Sequence, residues 1–173
     1  MIFDTQPGDV FCTKEKSWLS GPIRRAERYW SVDNEAEYTH AGLILNWSGR
    51  TYETLWWKES RNLFSDLAGS YVLVGRHHDM NPSLFYTHYP KFYREHCGGK
   101  YPFWRSLLFL LNPPLAKYLY FIGRPVCSEL VKKFVVQCGL CNCWIGATPD
   151  HVADMIHNFR KWSVVFEGIL PSL

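Results

Sequence analysis

Thr39-His40-Ala41-Gly42-Leu43-Ile44-Leu45 is a histidine followed by an almost unbroken apolar run. Residues His40 to Leu45 read as a strand. Asn46-Trp47-Ser48-Gly49-Arg50 has turn composition, and Thr51 to Trp56 reads as a second strand. A short turn between two strands implies an antiparallel pair. Working outward, Gln6-Pro7-Gly8-Asp9 is a turn that feeds a strand at Val10-Phe11-Cys12, and Tyr71 to Val74 reads as a further strand. Trp162 to Phe166 reads as the last strand.

Helical signals lie around these strands. Residues 17 to 30 place Trp18, Leu19, Ile23, Ala26 and Trp30 on one stripe, although Gly21-Pro22 divides the segment. Residues 83 to 96 predict a helix despite Pro90, ending at Gly98-Gly99. The clearest helix runs from Cys127 to Gly139. Cys127, Leu130, Val131, Phe134 and Cys138 share one face; Ser128, Glu129, Lys132, Lys133 and Gln137 share the other. Thr148 caps a further helix that has Pro149 in its first turn. Strands gathered early and helices late predict an α+β domain with an antiparallel sheet.

The chain has 173 residues, 47% hydrophobic and 20% charged, which excludes disorder and allows one domain spanning residues 1–173. Its net charge of +3 is too mild to imply nucleic acid or an anionic membrane. Arg24, Arg25 and Arg28 read as a solvated face. Eight Trp in a 17% aromatic chain must fill a core, line a pocket or form an interface. The apolar stretch 103–122 is broken by Asn112, Pro113, Pro114 and Lys117, so no transmembrane segment is expected. It reads as core, with protein or lipid contact as the alternative. The start MIFDTQPGDVF lacks the features of a signal peptide, so a cytoplasmic location and reduced thiols are expected. A viral or phage-borne context is compatible with the same features.

Three segments carry candidate chemistry. His40 opens its strand, Glu53 lies in Thr51-Tyr52-Glu53-Thr54-Leu55, and Cys127 opens the amphipathic helix in Gly123-Arg124-Pro125-Val126-Cys127-Ser128-Glu129. A helix start lowers the cost of a thiolate and presents N–H groups to a developing oxyanion. A histidine can take the thiol proton, and a carboxylate can hold the second ring nitrogen. Taken singly, each residue has an ordinary reading: Cys127 as a small core residue, His40 as a strand-end histidine, Glu53 as a solvent-facing strand residue. Together they make a stronger pattern.

These parts resemble the NlpC-type cell-wall peptidases, which are papain-like and run DCSGLV, PGDLVFF, HVGIYLG. Here Pro7-Gly8-Asp9-Val10-Phe11 comes first, THAGLIL and YETL follow, and VCSELV comes last. The order resembles the circularly permuted branch that includes YiiX- and YaeF-like proteins and, more distantly, the lecithin:retinol acyltransferase-like proteins. In YiiX-like proteins the third residue is typically a Glu on the strand after the His, which matches Glu53. Gly98-Gly99-Lys100-Tyr101-Pro102-Phe103 resembles the branch's "GkpYDf" segment, with Pro102 where an Asp is usual; Thr148-Pro149-Asp150 resembles its "tP.dl" segment. Residues 103–122 are more aromatic than the branch would suggest.

The resemblance implies a papain-like antiparallel sheet with packed helices and the nucleophile at a helix N-terminus. It implies a thiol amidase or peptidase with Cys127 as nucleophile, His40 as base and acid, and Glu53 as orienter. The backbone N–H groups of Cys127 and Ser128 would hold the oxyanion. No cofactor and no metal are required, and the substrate would be a peptide, a murein fragment or an acyl amide. An acyltransferase or lipid esterase with the same triad, and a binding or assembly protein on the same fold, are the alternatives. A structural zinc on Cys138, Cys141, Cys143 and His151 is a further one, though C-x2-C-x-C is not a usual finger spacing. His77, His78, His88 and His96 show no ligand spacing and read as solvated.

Overall fold

The computed structural model describes residues 3–14, 37–54, 60–96, 126–141 and 148–172. Strands β1 (Val10–Thr13), β2 (His40–Ile44) and β3 (Thr51–Tyr52) come first. Helix α1 (Leu63–Asp66), strand β4 (Tyr71–His77) and helix α2 (Pro82–His96) follow. Helices α3 (Cys127–Gln137) and α4 (Pro149–Asn158) and strand β5 (Trp162–Ile169) complete the described elements. The fold is α+β, with a five-stranded antiparallel sheet in the order β3-β2-β1-β4-β5.

The inner strands β1, β2 and β4 are buried on both faces, whereas β5 is largely exposed. Val10 and Cys12 enter one cluster with Ala41, Leu43 and Leu73. Phe11 enters the other with Ile44, Val72 and Val74. This is the two-residue period of a strand. The first cluster is closed by Leu130, Val131 and Phe134 of α3, Val152 and Ile156 of α4, and Phe85 and Phe92 of α2. The second is closed by Leu63, Leu67 and Leu170.

Caps explain where the helices begin. The Thr148 hydroxyl accepts the His151 N–H at 3.2 Å, and Pro149 occupies the first turn of α4. Asn81 accepts the Leu84 N–H at 2.9 Å ahead of Pro82, and α2 then continues through Pro90. Helix α3 stops at Gln137, two residues earlier than the periodicity suggests. Gly139 follows with φ of +70°, a left-handed position that suits glycine at a helix end.

Several expectations change. Strand β4 runs three residues past Val74, and α1 has no signal in the apolar periodicity; it is nucleated by the Asn62 side chain, which accepts from Phe64 and Ser65 N–H. Strand β3 is only Thr51–Tyr52, and Leu55 and Trp56 of the expected strand lie outside the described residues. Ser128 and Glu129 are buried rather than on a solvent face, because the first turn of α3 lies against the sheet. His77 is buried too, edge-on to Trp162 with ring centroids 5.3 Å apart; its Nδ1 accepts the Asp79 N–H. The expected helix at 17–30, Arg24, Arg25 and Arg28, Cys143, the Gly98–Phe103 segment and the stretch 103–122 lie outside the described residues.

Candidate functional site

The pairing of β2 and β3 sets Leu43 against Tyr52 and Ile44 against Thr51. One further step of this register brings Glu53 opposite Gly42, two residues from His40 on the same face of the strand pair. Gly42 keeps that position open. A Cβ there would stand 2.6 Å from the Phe11 ring and 3.0 Å from the Tyr52 carbonyl oxygen. Across the gap, His40 Nε2 meets Glu53 Oε2 at 2.6 Å.

Glu53 is buried and held by four hydrogen bonds from three residues. Beyond His40, the Thr51 hydroxyl donates to Oε1 at 2.6 Å. Arg61 donates from Nε to Oε1 at 3.1 Å and from Nη2 to Oε2 at 2.7 Å. Burial alone would push the carboxyl up, but His40 and Arg61 outweigh it and bring it down to about 2.

Cys127 is the other partner of the imidazole. Both residues open their elements, His40 at the start of β2 and Cys127 at the start of α3, and the two elements pack side by side. Burial pulls the imidazole down. The charge and hydrogen bonding of Cys127, joined by those of Glu53, overcome it and push His40 up to about 10. The structure thus brings together the three residues singled out from the sequence.

The helix start that carries Cys127 is built locally. Leu130 N–H to Val126 O, at 2.9 Å, is the first bond of the helix ladder. Glu129 reaches back to accept the Val126 N–H at 3.0 Å, half of a capping box. The N–H groups of Cys127 and Ser128 therefore belong to the first turn, where helix geometry directs them out of the helix start. Leu130, Val131 and Phe134 anchor the rest of α3 against Leu43, with Leu45 at the margin.

Arg61 and Thr51 had no sequence signal as site residues. Arg61 lies in a stretch of mixed composition, and Thr51 reads as an ordinary strand residue. The role of Asp150 was equally hidden: its Oδ1 accepts the N–H groups of Glu37 at 3.1 Å and Tyr38 at 3.4 Å, tying α4 to the lead-in of β2. Cys138 and Cys141 do not form a metal cluster among the described residues, and His151 Nδ1 lies 2.6 Å from the Thr148 hydroxyl. Cys127 and Cys138 are free thiols, and burial pushes Cys138 up to about 12. Among the described residues no helix is long and apolar enough to cross a membrane.

No family model and no curated protein sequence matches the chain. Among solved structures, the chain is similar to the crystal structure of the metalloprotein YiiX (DUF1105) from Escherichia coli O157:H7. The TM-score is 0.56 and the identity 16%, over 96% of this chain and 88% of that one. The architecture is therefore YiiX-like, consistent with a papain-like fold.

Proposed function

We propose that this protein is a thiol-dependent hydrolase of the circularly permuted NlpC type, cleaving an amide bond through a thioester on Cys127. One observation carries the reading: a buried imidazole stands between a buried carboxylate and a cysteine at a helix start. In that arrangement His40 takes the thiol proton and frees the Cys127 sulfur as nucleophile. The sulfur attacks the acyl carbon, and the oxyanion forms against the N–H groups of Cys127 and Ser128. His40 gives its proton to the leaving nitrogen as the C–N bond breaks. Water then enters, His40 takes one of its protons, and the thioester breaks to free acid and thiolate. Glu53 keeps Nε2 protonated and steadies the imidazolium.

The YiiX protein is described as a metalloprotein. The donor set here does not fit a metal ion. Both Glu53 oxygens face the Arg61 guanidinium, and one of them also holds His40, so a cation would have to displace a cation. Peptides, murein fragments and acyl amides are the proposed substrate classes, on the strength of the NlpC-type resemblance.

Intact-mass analysis with acylating thiol probes and with these three substrate classes tests the reading. Wild type should gain one acyl group on Cys127 and release free acid, and Cys127→Ala should do neither. Adding an amine or alcohol acceptor shows whether the acyl group passes to water or to another nucleophile. Labelling spread over Cys12, Cys138 and Cys141 as readily as Cys127 would remove the nucleophile assignment.

A further inference from the structure

Most of the hydrogen bonds that hold Glu53 come from groups other than His40. Arg61 grips both oxygens in a bidentate pair, the geometry that best fixes a carboxylate plane. Arg61 is itself pinned through its backbone. Its carbonyl accepts the Thr51 N–H at 2.8 Å, and its own N–H donates to the Thr51 hydroxyl at 3.1 Å. An isolated bridge pairs the neighbours Arg50 and Asn62, so the segment lies along the outer edge of β3. The guanidinium is mostly buried, so water screens its charge little.

We infer that Arg61 is a positioning residue for the Cys127–His40 pair, acting by holding Glu53 ionised and aimed at Nε2. The inference rests on the thiol-hydrolase reading for its purpose, but its physical content concerns Glu53 and His40 alone. The titratable and charged groups that act on His40 are Cys127 from α3 and Glu53, the residue after β3; those that act on Glu53 are His40 and Arg61. Removing the guanidinium leaves a buried carboxylate with one cationic neighbour instead of two. Its proton affinity must then rise. Once Glu53 takes a proton, the imidazolium loses its counter-charge, and the Cys127 thiolate loses the cation that stabilises it.

The test is the pH dependence of Cys127 alkylation by iodoacetamide, read by peptide mass, in wild type, Arg61→Met and Arg61→Lys. In Arg61→Met the acid limb should move up by about one pH unit, the lower end of what one opposite charge does to a carboxyl. Arg61→Lys keeps the charge but not the two-point grip, and should shift the same way by less. It also keeps the test open should the methionine variant fail to fold. An acid limb in folded Arg61→Met, or in Arg61→Lys, that coincides with wild type overturns the inference. Failure of the hydrolase reading looks different: wild-type Cys127 would alkylate no faster than Cys138. In that event the downfield NMR signal of the His40 Nε2 proton still reads the grip of Arg61. That signal should persist to lower pH in wild type than in Arg61→Met, and equal persistence would overturn the inference.

Discussion

At His40, two partners oppose the effect of burial, and the balance fixes the pH range in which the site is assembled. His40 is pulled down by burial and pushed up to about 10 by Cys127 and Glu53, so its protonated form favours the folded state. That contribution is complete below the ordinary histidine value and is lost as pH rises through about 10. Glu53 is pushed up by burial and brought down to about 2 by His40 and Arg61, so its ionised form favours the folded state. That contribution is complete above the ordinary glutamate value and is lost as pH falls towards 2. Wild type should therefore gain melting temperature over His40→Ala between about pH 4.5 and 6.5, where both contributions are complete. The advantage should shrink at both extremes, and a constant difference from pH 3 to 10 would contradict the pairing. Catalysis separates the same residues by role. His40→Ala should be nearly as damaging as Cys127→Ala. Glu53→Gln should retain measurable turnover, because an amide can still orient the ring but cannot balance its charge. Turnover by Glu53→Gln equal to wild type would remove Glu53 from the proposed mechanism. All three residues were legible in the sequence because each stands at an element boundary or inside a strong apolar pattern. Arg61 was not, because its contacts depend on the path of the chain after β3, which no periodicity encodes.

At the scale of elements, the site depends on the spacing between β1, β2 and β3. A Gly42→Ala methyl group would fall 2.6 Å from the Phe11 ring, which is itself packed in the sheet and has nowhere to move. The expected loss is about 1–3 kcal/mol, the range for overpacking a dense interior. Because Gly42 faces Glu53 across the pair, turnover should fall more than stability alone would dictate at temperatures where the variant remains folded. Urea titration and single-turnover kinetics separate the two effects, and a variant as stable as wild type would show that the strands have slack. Thr148→Ala tests the cap of α4. It should cost about 1 kcal/mol by urea titration while leaving Cys127 alkylation unchanged. An altered alkylation rate would mean that α4 controls the site more directly than packing implies. The Thr-Pro pair announced this cap, and the amphipathic stripe announced α3. The short helix α1 was hidden because four residues are too few to show a helical period, and Asn62 alone nucleates it. The burial of Ser128 and Glu129 was hidden for a different reason. A helical wheel treats every turn alike, whereas the first turn of α3 is buried and its Glu129 is used there as a cap.

At the scale of the molecule, a two-sided sheet poses a question of cooperativity. Ile44 belongs to the cluster closed by Leu63 and Leu67, and Ile156 belongs to the cluster closed by the longer helices. The same strands contribute alternate residues to both clusters, so neither can lose its sheet residues without disturbing the other. This argues that the two clusters unfold together. Ile44→Val and Ile156→Val should each cost about 0.5–1.5 kcal/mol, the usual loss for removing one buried methyl group. The double variant should lose the sum to within about 0.5 kcal/mol, as expected of sites that share no partner. In every case urea unfolding followed by tryptophan fluorescence and by far-ultraviolet circular dichroism should give one coincident transition. If instead Ile156→Val shifted the fluorescence transition alone, the helical side would be melting off a surviving sheet. The Cys127 helix would then leave His40 before the strands part, and alkylation of Cys127 would fall to the rate of an ordinary thiol at urea concentrations where the sheet still persists.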